Sequence, residues 1–162
     1  MPIPDSWPPH VKQRAEKFLA LLKYYRMSRT LSEAAGPFYV RQIEGTLTDP
    51  QDILRGSALI AYWFASLHPL CEGWEALKCV DDAVDAQRTP EHLLVLKQYR
   101  HTVFHFQHSL TQSRILAFER SHDEIGWAMT LGEAFQHFFD PHLEVIDVER
   151  IRSWLFAAEG AG

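Results

Sequence analysis

The sequence predicts an all-helical protein of five or six helices, and two kinds of observation lead to this prediction. Apolar residues recur three and four positions apart along several segments, which is the period of an amphipathic helix. Asp49-Pro50 and Thr89-Pro90 each join a capping side chain to a proline, an arrangement typical of the first residues of a helix. No convincing pair of strand segments with a connecting turn is present. The predicted fold class is therefore all-α, a helical bundle.

The first predicted helix is followed by an irregular segment. Pro8-Pro9 favours a helix start, because proline is well suited to the first helical position. Apolar residues at helical spacing follow it: Phe18, Leu19, Leu21, Leu22 and Tyr25. Gly36-Pro37 predicts a break in this helix, with irregular chain from there to Leu47.

The second predicted helix follows Asp49-Pro50 and has the clearest pattern. Its apolar stripe consists of Ile60, Trp63, Leu67, Leu70, Trp74 and Leu77. Pro69 and Gly73 are expected to bend or interrupt it. Glu72 lies opposite the stripe if the helix is straight, as a solvated glutamate would, although Pro69 could change that phase.

The remaining chain contains two further helical patterns and one ambiguous segment. Thr89-Pro90-Glu91 predicts the start of the next helix, whereas residues 111–120 fit either a helix or a short extended piece. Phe135, Phe138 and Phe139 predict an amphipathic helix with a buried face, ending near Asp140-Pro141. A last short helix is expected around Ile151 and Leu155.

The length of 162 residues fits one domain that can bury a core without a disulfide or a metal. We predict a single domain over residues 1–162. Its parts are an N-terminal helix and irregular segment (1–48), a motif-bearing core (49–140), and a C-terminal helix and tail (141–162). Five Trp and ten Phe supply large side chains for that core.

Composition also narrows the function classes. The net charge of -5 disfavours a general nucleic-acid binder, which would carry a basic face, but it allows a small positive site. Cys71 and Cys79 are spaced too widely for a zinc pair, so we interpret them as reduced core thiols. The N-terminus lacks the features of a signal peptide, and no apolar run reaches the roughly 18 residues of a membrane span. We expect a soluble, cytoplasmic protein with no membrane association, metal or cofactor.

The segment richest in reactive side chains is Arg100-His101-Thr102-Val103-Phe104-His105. On a straight helix with about 100° per residue, Arg100 lies in the middle of an apolar face. That face is made by Leu93, Leu96, Val103 and Phe104. A guanidinium at such a place is costly unless it is paired or lies at an interface. Since Tyr99 and Phe106 cover another side, we expect neighbouring helices or a partner chain to bury this helix.

The histidines of this helix point in another direction. His101, His105 and His108 project within about 60° of one another, whereas Arg100 and His105 are about 140° apart. Either the helix is irregular, or the arginine of one chain meets the histidine of another. A structural interpretation also stays open, in which Arg100 pairs with a buried carboxylate and the histidines have no catalytic role.

The longer phrase Tyr99-Arg100-His101-Thr102-Val103-Phe104-His105-Phe106-Gln107 resembles the signature of the HEPN superfamily (higher eukaryotes and prokaryotes nucleotide-binding domains). That signature is an arginine, a following polar residue, and a histidine four to six residues after the arginine. Arg100, His101 and His105 match these positions in order. His101 stands where asparagine is the commonest residue of the family.

An upstream segment is similar to a bacterial branch of that family, in which a helix with an acidic residue precedes the arginine helix. The residues that carry this similarity are Trp63-Phe64-Ala65-Ser66-Leu67 and Glu72-Gly73-Trp74. The similarity covers about residues 50–140, and its specific part is the nine-residue phrase.

The resemblance implies a dimer whose two arginine–histidine motifs form one cleft that cleaves RNA without a metal, in a toxin or defence setting. Arg100 would stabilise the phosphate, and His105 would act as general base or acid, because its unperturbed pKa suits proton transfer near neutral pH. His101 would orient or support these groups, and Glu72 would shift the pKa of a neighbouring His or Arg. The implied partners are a second copy of the chain, RNA, and an antitoxin or nucleotidyltransferase-like protein.

Two other functions remain open at this point. The chain could be a non-catalytic HEPN-like module for dimerisation or nucleotide binding. The spacing of His101, His105 and His108 would also suit a metal, if a carboxylate such as Glu72 or Asp82 completed the ligand set.

Overall fold

The computed structural model describes residues 7–104 and 122–143, and in these ranges the chain forms five helices and no strand. The helices are α1 (Pro9–Ile43), α2 (Pro50–Ala76), α3 (Asp82–Gln87), α4 (Pro90–Phe104) and α5 (His122–Leu143). The all-α prediction is confirmed for these residues. The segments predicted at 111–120 and around Leu155 lie outside them. None of the described helices has the length and apolarity needed to cross a membrane.

Helix α1 starts at Pro9 as predicted, but it continues through Gly36-Pro37 to Ile43. The expected break after Gly36 is therefore wrong. Proline at position 37 removes one backbone donor, yet the turns beyond it are held against α2. Arg41 Nη1 lies 2.8 Å from Asp52 Oδ2, and Gly56 of α2 packs against the side chain of Phe38. These tertiary contacts stabilise the C-terminal turns of α1 in spite of the proline.

Helix α2 begins as predicted, because Asp49 caps it. The Asp49 carboxylate accepts hydrogen bonds from the backbone N–H of Gln51 at 2.8 Å and of Asp52 at 3.0 Å. The helix then runs without interruption through Pro69 and Gly73 to Ala76. It packs against α1 on one side and α4 on the other, so it is the central helix of the bundle.

Buried residues of all five helices form one hydrophobic core, in which aromatic rings meet at several points. The ring of Trp74 stands edge-on to Phe138 at a centroid distance of 4.6 Å, and Tyr25 stacks on Phe139 at 4.7 Å. Phe135 and Phe139 are fully buried and Phe138 packs against the core, which confirms the face predicted for α5. The helix extends to Leu143, slightly past the predicted end.

Helix α4 begins at Pro90 as predicted and is anchored at its first turn. The backbone N–H of His92 lies 3.3 Å from Thr89 Oγ1, and the His92 ring stacks on Trp127 of α5 at a centroid distance of 4.0 Å. Trp127 Nε1 donates a hydrogen bond to the Gln87 carbonyl at 2.9 Å. Toward its other end, α4 buries Tyr99 against Phe64 of α2. The last turns of α4 thus lie alongside the C-terminal half of α2.

Candidate functional site

Two of the four predicted site residues are brought together by the packing of α4 on α2. Arg100 Nη1 lies 3.6 Å from Glu72 Oε2, an ion pair between residues 28 positions apart in the chain. His101 follows Arg100 directly and is exposed. His105 lies outside the described residues, so its distance from Arg100 stays a prediction.

Arg100 is half exposed in the structure. Its side chain is 48% exposed, and the buried residues of α4 are Leu96 and Tyr99. The position of Tyr99 shows that the face toward α2 is rotated toward residues 96 and 99, which leaves Arg100 at its edge. The pairing with Glu72 meets one of the two conditions expected for an arginine on this face, and an interface with a partner chain stays a prediction. The guanidinium remains open to solvent on one side.

Glu72 combines a solvated position with a contact to the motif helix. Its side chain is 57% exposed, as its phase opposite the apolar stripe of α2 predicted. The phase within α2 gave no information about which neighbouring helix passes Glu72. The packing of α4 supplies that answer, because Arg100 projects from α4 toward the same edge of α2.

His68 belongs to this group of side chains and was not singled out in the sequence. It is 7% exposed and lies one turn before Glu72 on α2. Its Nδ1 is 3.2 Å from Glu72 Oε2, an ion-pair distance without hydrogen-bond geometry. The available signal was the spacing of four between His68 and Glu72, which places them on one helix face but is common in helices.

Burial and two neighbouring cations favour the neutral form of the His68 imidazole. Burial lowers the pKa of His68 because it disfavours the charged form. The nearby carboxylate of Glu72 acts in the opposite direction, whereas the positive charges of Arg100 and Lys97 lower the pKa further. The group at this edge consists of a buried imidazole, a carboxylate and a half-exposed guanidinium, and we call it the His68–Glu72–Arg100 cluster.

An exposed aromatic pair lies on the same two helices as this cluster. The rings of Phe104 on α4 and Tyr62 on α2 are 6.0 Å apart, and Phe104 is 60% exposed. Leu94 of α4 is exposed as well. Within the described residues, the neighbouring helices leave these side chains of α4 exposed. Burial by a partner chain stays a prediction.

A cavity of about 200 Å³ lies elsewhere, between α1, α2 and α5. Trp63, Leu67 and Phe135 contribute to its apolar wall, and Arg29 and Glu33 to its polar edge. None of the four predicted site residues lines it. The candidate site is therefore an exposed edge between two helices rather than an enclosed pocket.

The part of the chain that the structure describes contains no group of three potential metal ligands. The metal hypothesis based on His101, His105 and His108 depends on two residues outside those ranges, so it stays untested.

The guanidinium of the His68–Glu72–Arg100 cluster is chemically suited to bind an anion. A half-exposed guanidinium presents planar N–H donors that match the oxygens of a phosphate or a carboxylate. Glu72 occupies part of this donor set from one side.

Comparisons with protein-family models, curated proteins and solved structures found no match to this chain.

Proposed function

We propose that this chain is a HEPN-like endoribonuclease that cleaves RNA without a metal. The observation that carries the proposal is the half-exposed guanidinium of Arg100, which a carboxylate of another helix holds at 3.6 Å. Arg100 keeps donors available for a phosphate in solution.

The chemistry assigns one task to each residue type. Attack of the ribose 2′-oxygen on the adjacent phosphorus breaks the bond to the 5′-oxygen and leaves a cyclic phosphate and a 5′-hydroxyl. A base must take the 2′-hydroxyl proton, an acid must give a proton to the leaving oxygen, and a cation must stabilise the phosphate in the transition state. In our proposal His105 transfers a proton, Arg100 stabilises the phosphate, and His101 supports them.

A symmetric dimer would bring an arginine and a histidine to the same phosphate. Arg100 and His105 are about 140° apart on an ideal helix, so one motif does not aim both side chains at the same phosphate. Two copies related by a twofold axis would place the arginine of one beside the histidine of the other. The exposed rings of Tyr62 and Phe104 provide apolar surface near the motif for such an interface. Within the proposal, an antitoxin or nucleotidyltransferase-like partner would control this activity.

Two observations favour the second candidate, a non-catalytic HEPN-like module. Glu72 already neutralises part of the charge on Arg100, and the chain as a whole carries a net charge of -5. Both features weaken attraction to RNA. A dimer that binds a nucleotide or a protein without cleaving RNA would fit them.

Cleavage of labelled single-stranded RNA in the presence of EDTA separates the two candidates. We expect the wild type to release products with cyclic phosphate ends. Arg100→Met and His105→Ala should each lower kcat/KM by about 10²-fold or more, because each removes stabilisation of the transition state. Arg55→Met, a change at an exposed arginine elsewhere on α2, is the matched control and should retain activity.

Two results would contradict the enzyme proposal. One is a folded, dimeric wild type that cleaves no RNA from a varied panel. The other is an Arg100→Met variant that cleaves as fast as the wild type.

A further inference from the structure

The least expected side chain of the candidate site is His68, because it is polar, buried and close to a carboxylate. Position 68 faces the interior of the bundle, where an apolar side chain would avoid the cost of removing an imidazole from water. The buried Nδ1 atom lies 3.2 Å from Glu72 Oε2, without hydrogen-bond geometry. His68 therefore approaches the Glu72 carboxylate from the interior of the bundle, whereas Arg100 approaches it from the solvent side.

The Glu72 carboxylate lies between these two groups. The same oxygen, Oε2, is 3.2 Å from His68 Nδ1 and 3.6 Å from Arg100 Nη1. The terminal torsion of a glutamate is soft, and adjustment of this torsion together with the His68 ring would form a hydrogen bond from Nδ1–H to the carboxylate. A glutamate that is 57% exposed would otherwise sample many rotamers. A hydrogen bond from His68 would reduce this freedom.

We propose that His68 is a positioning residue, which holds the Glu72 carboxylate against Arg100 and so sets the direction in which the guanidinium meets a phosphate. This inference rests on the proposed function, since it concerns the phosphate-binding arginine of that site. His68 itself does not touch the RNA. It acts through Glu72, in the way that hydrogen-bonded outer residues orient the groups of other sites.

The charges around His68 make its pKa sensitive to substitutions at Glu72 and Arg100. The groups that act on its ring are Glu72 on α2, and Lys97 and Arg100 on α4. Neutralising Arg100 removes a positive charge near the ring, so Arg100→Met should raise the pKa of His68. Glu72→Gln removes the negative charge and should lower that pKa further. A phosphate bound to Arg100 screens its charge, so binding should also raise the pKa of His68.

NMR titration of the histidine ring signals tests the contact without any assay of cleavage. His68→Asn identifies the signal by its disappearance. The probe for binding is a 2′-O-methyl RNA oligonucleotide, which has phosphates but no 2′-hydroxyl to attack. We expect opposite changes in the His68 titration for Arg100→Met and Glu72→Gln. A His68 titration that neither substitution moves overturns the proposal, whether or not the protein cleaves RNA.

Matched substitutions at position 68 test the consequence for binding. Asparagine can keep a donor close to the place of Nδ1, whereas leucine fills the space without a donor. We expect His68→Leu to weaken binding of the same oligonucleotide by about tenfold and to lower kcat/KM for RNA, because a misplaced cation binds the phosphate less well. His68→Asn should restore most of the loss.

Failure of the inference differs from failure of the proposed function. If the wild type cleaves RNA and His68→Leu binds and cleaves equally well, His68 has no positioning role although the enzyme proposal stands. If the wild type binds the oligonucleotide without cleaving RNA, and His68→Leu still weakens binding, the enzyme proposal fails and the positioning role stands. A wild type that neither binds the oligonucleotide nor cleaves RNA overturns both.

Discussion

At the scale of single residues, polar side chains of distant helices pair at a few defined places. Besides the His68–Glu72–Arg100 cluster, Asp140 of α5 accepts hydrogen bonds from two residues of α1. Arg29 Nη1 and the Tyr25 hydroxyl each lie 2.7 Å from Asp140 Oδ1. Burial, followed by the hydrogen bond to Asp140, raises the pKa of Tyr25 to about 12. This network ties the C-terminal half of α5 to the middle of α1.

Substitution of Asp140 tests that network. Partial burial alone would raise the pKa of Asp140, but hydrogen bonds from Tyr25 and Gln136 and the charge of Arg29 lower it overall. The carboxylate therefore stabilises the fold above its unfolded pKa, and this contribution is lost as the pH falls through the folded pKa. We expect Asp140→Asn to lower the free energy of unfolding by about 1 kcal/mol at pH 7. Denaturant unfolding of both proteins should show this difference shrinking as the pH approaches 3.

Glu16→Gln, a change at an exposed carboxylate of α1, serves as the control and should have little effect. A loss for Asp140→Asn that is equally large at pH 3 and pH 7 would show that packing, and not the charge, causes it.

The residue scale also shows what could be predicted of the candidate site. Arg100 and Glu72 were selected from the sequence because their residue types and order match a motif. Their contact could not be predicted, since it depends on how far α4 is rotated about its axis when it packs on α2. His68 was missed because its place in the cluster depends on that contact.

At the scale of elements, α1 and α2 approach each other closely at two glycines of α2. A Cβ atom added to Gly56 would lie 2.8 Å from Phe38 Cβ, and one added to Gly73 would lie 2.7 Å from Leu21 Cδ1. The two neighbours differ in mobility. The Cβ of Phe38 is attached to the backbone of α1, whereas Cδ1 is the far end of the leucine side chain.

Alanine at the two glycines should therefore have different effects. Each substitution favours the helix by about 1 kcal/mol. At position 56 the two helices must separate, so we expect Gly56→Ala to destabilise the protein by about 1–2 kcal/mol. At position 73 a rotation of Leu21 relieves the contact, and we expect a change within about 0.5 kcal/mol. Thermal unfolding should place the Tm of Gly56→Ala several degrees below that of Gly73→Ala. Equal Tm values would contradict a close approach of the helices at Gly56.

Prolines show both the value and the limit of local signals at this scale. Pro9, Pro50 and Pro90 all lie at the start of a helix, as the sequence predicted, because the first helical residue needs no donor. Pro37 and Pro69 lie inside helices, where the same residue type predicted a break or a bend. A local rule counts the lost hydrogen bond but not the packing of the turns beyond it. In α1 and α2 that packing holds the helix together.

At the scale of the whole molecule, one hydrophobic core joins the five described helices. It contains both cysteines, Cys71 and Cys79, as reduced thiols, which confirms the interpretation of them as core residues. Burial raises the pKa of each thiol to about 12. Since the thiolate is the reactive form, both groups are protected twice, by exclusion of the reagent and by protonation.

Thiol labelling therefore reports on the integrity of the entire core. We expect native protein at pH 8 to react with iodoacetamide far more slowly than a free cysteine, and both thiols to react at once when denaturant unfolds the chain. Mass spectrometry of samples taken through the unfolding transition checks this, with total unfolding followed by circular dichroism. Labelling of one thiol well before the transition would show that this part of the core opens locally.

The sequence by itself determined the all-helical class, most helix starts, the apolar face of α5 and the burial of the two cysteines. These properties follow from capping, from helical periodicity and from hydrophobicity, which depend on residues close together in the chain. Tertiary structure alone decided that α1 continues past Pro37, that Arg100 is half exposed, and that Glu72 joins it to His68. Those outcomes depend on how one helix is rotated and seated against another. That arrangement minimises the free energy of all the contacts together, so no local pattern contains it.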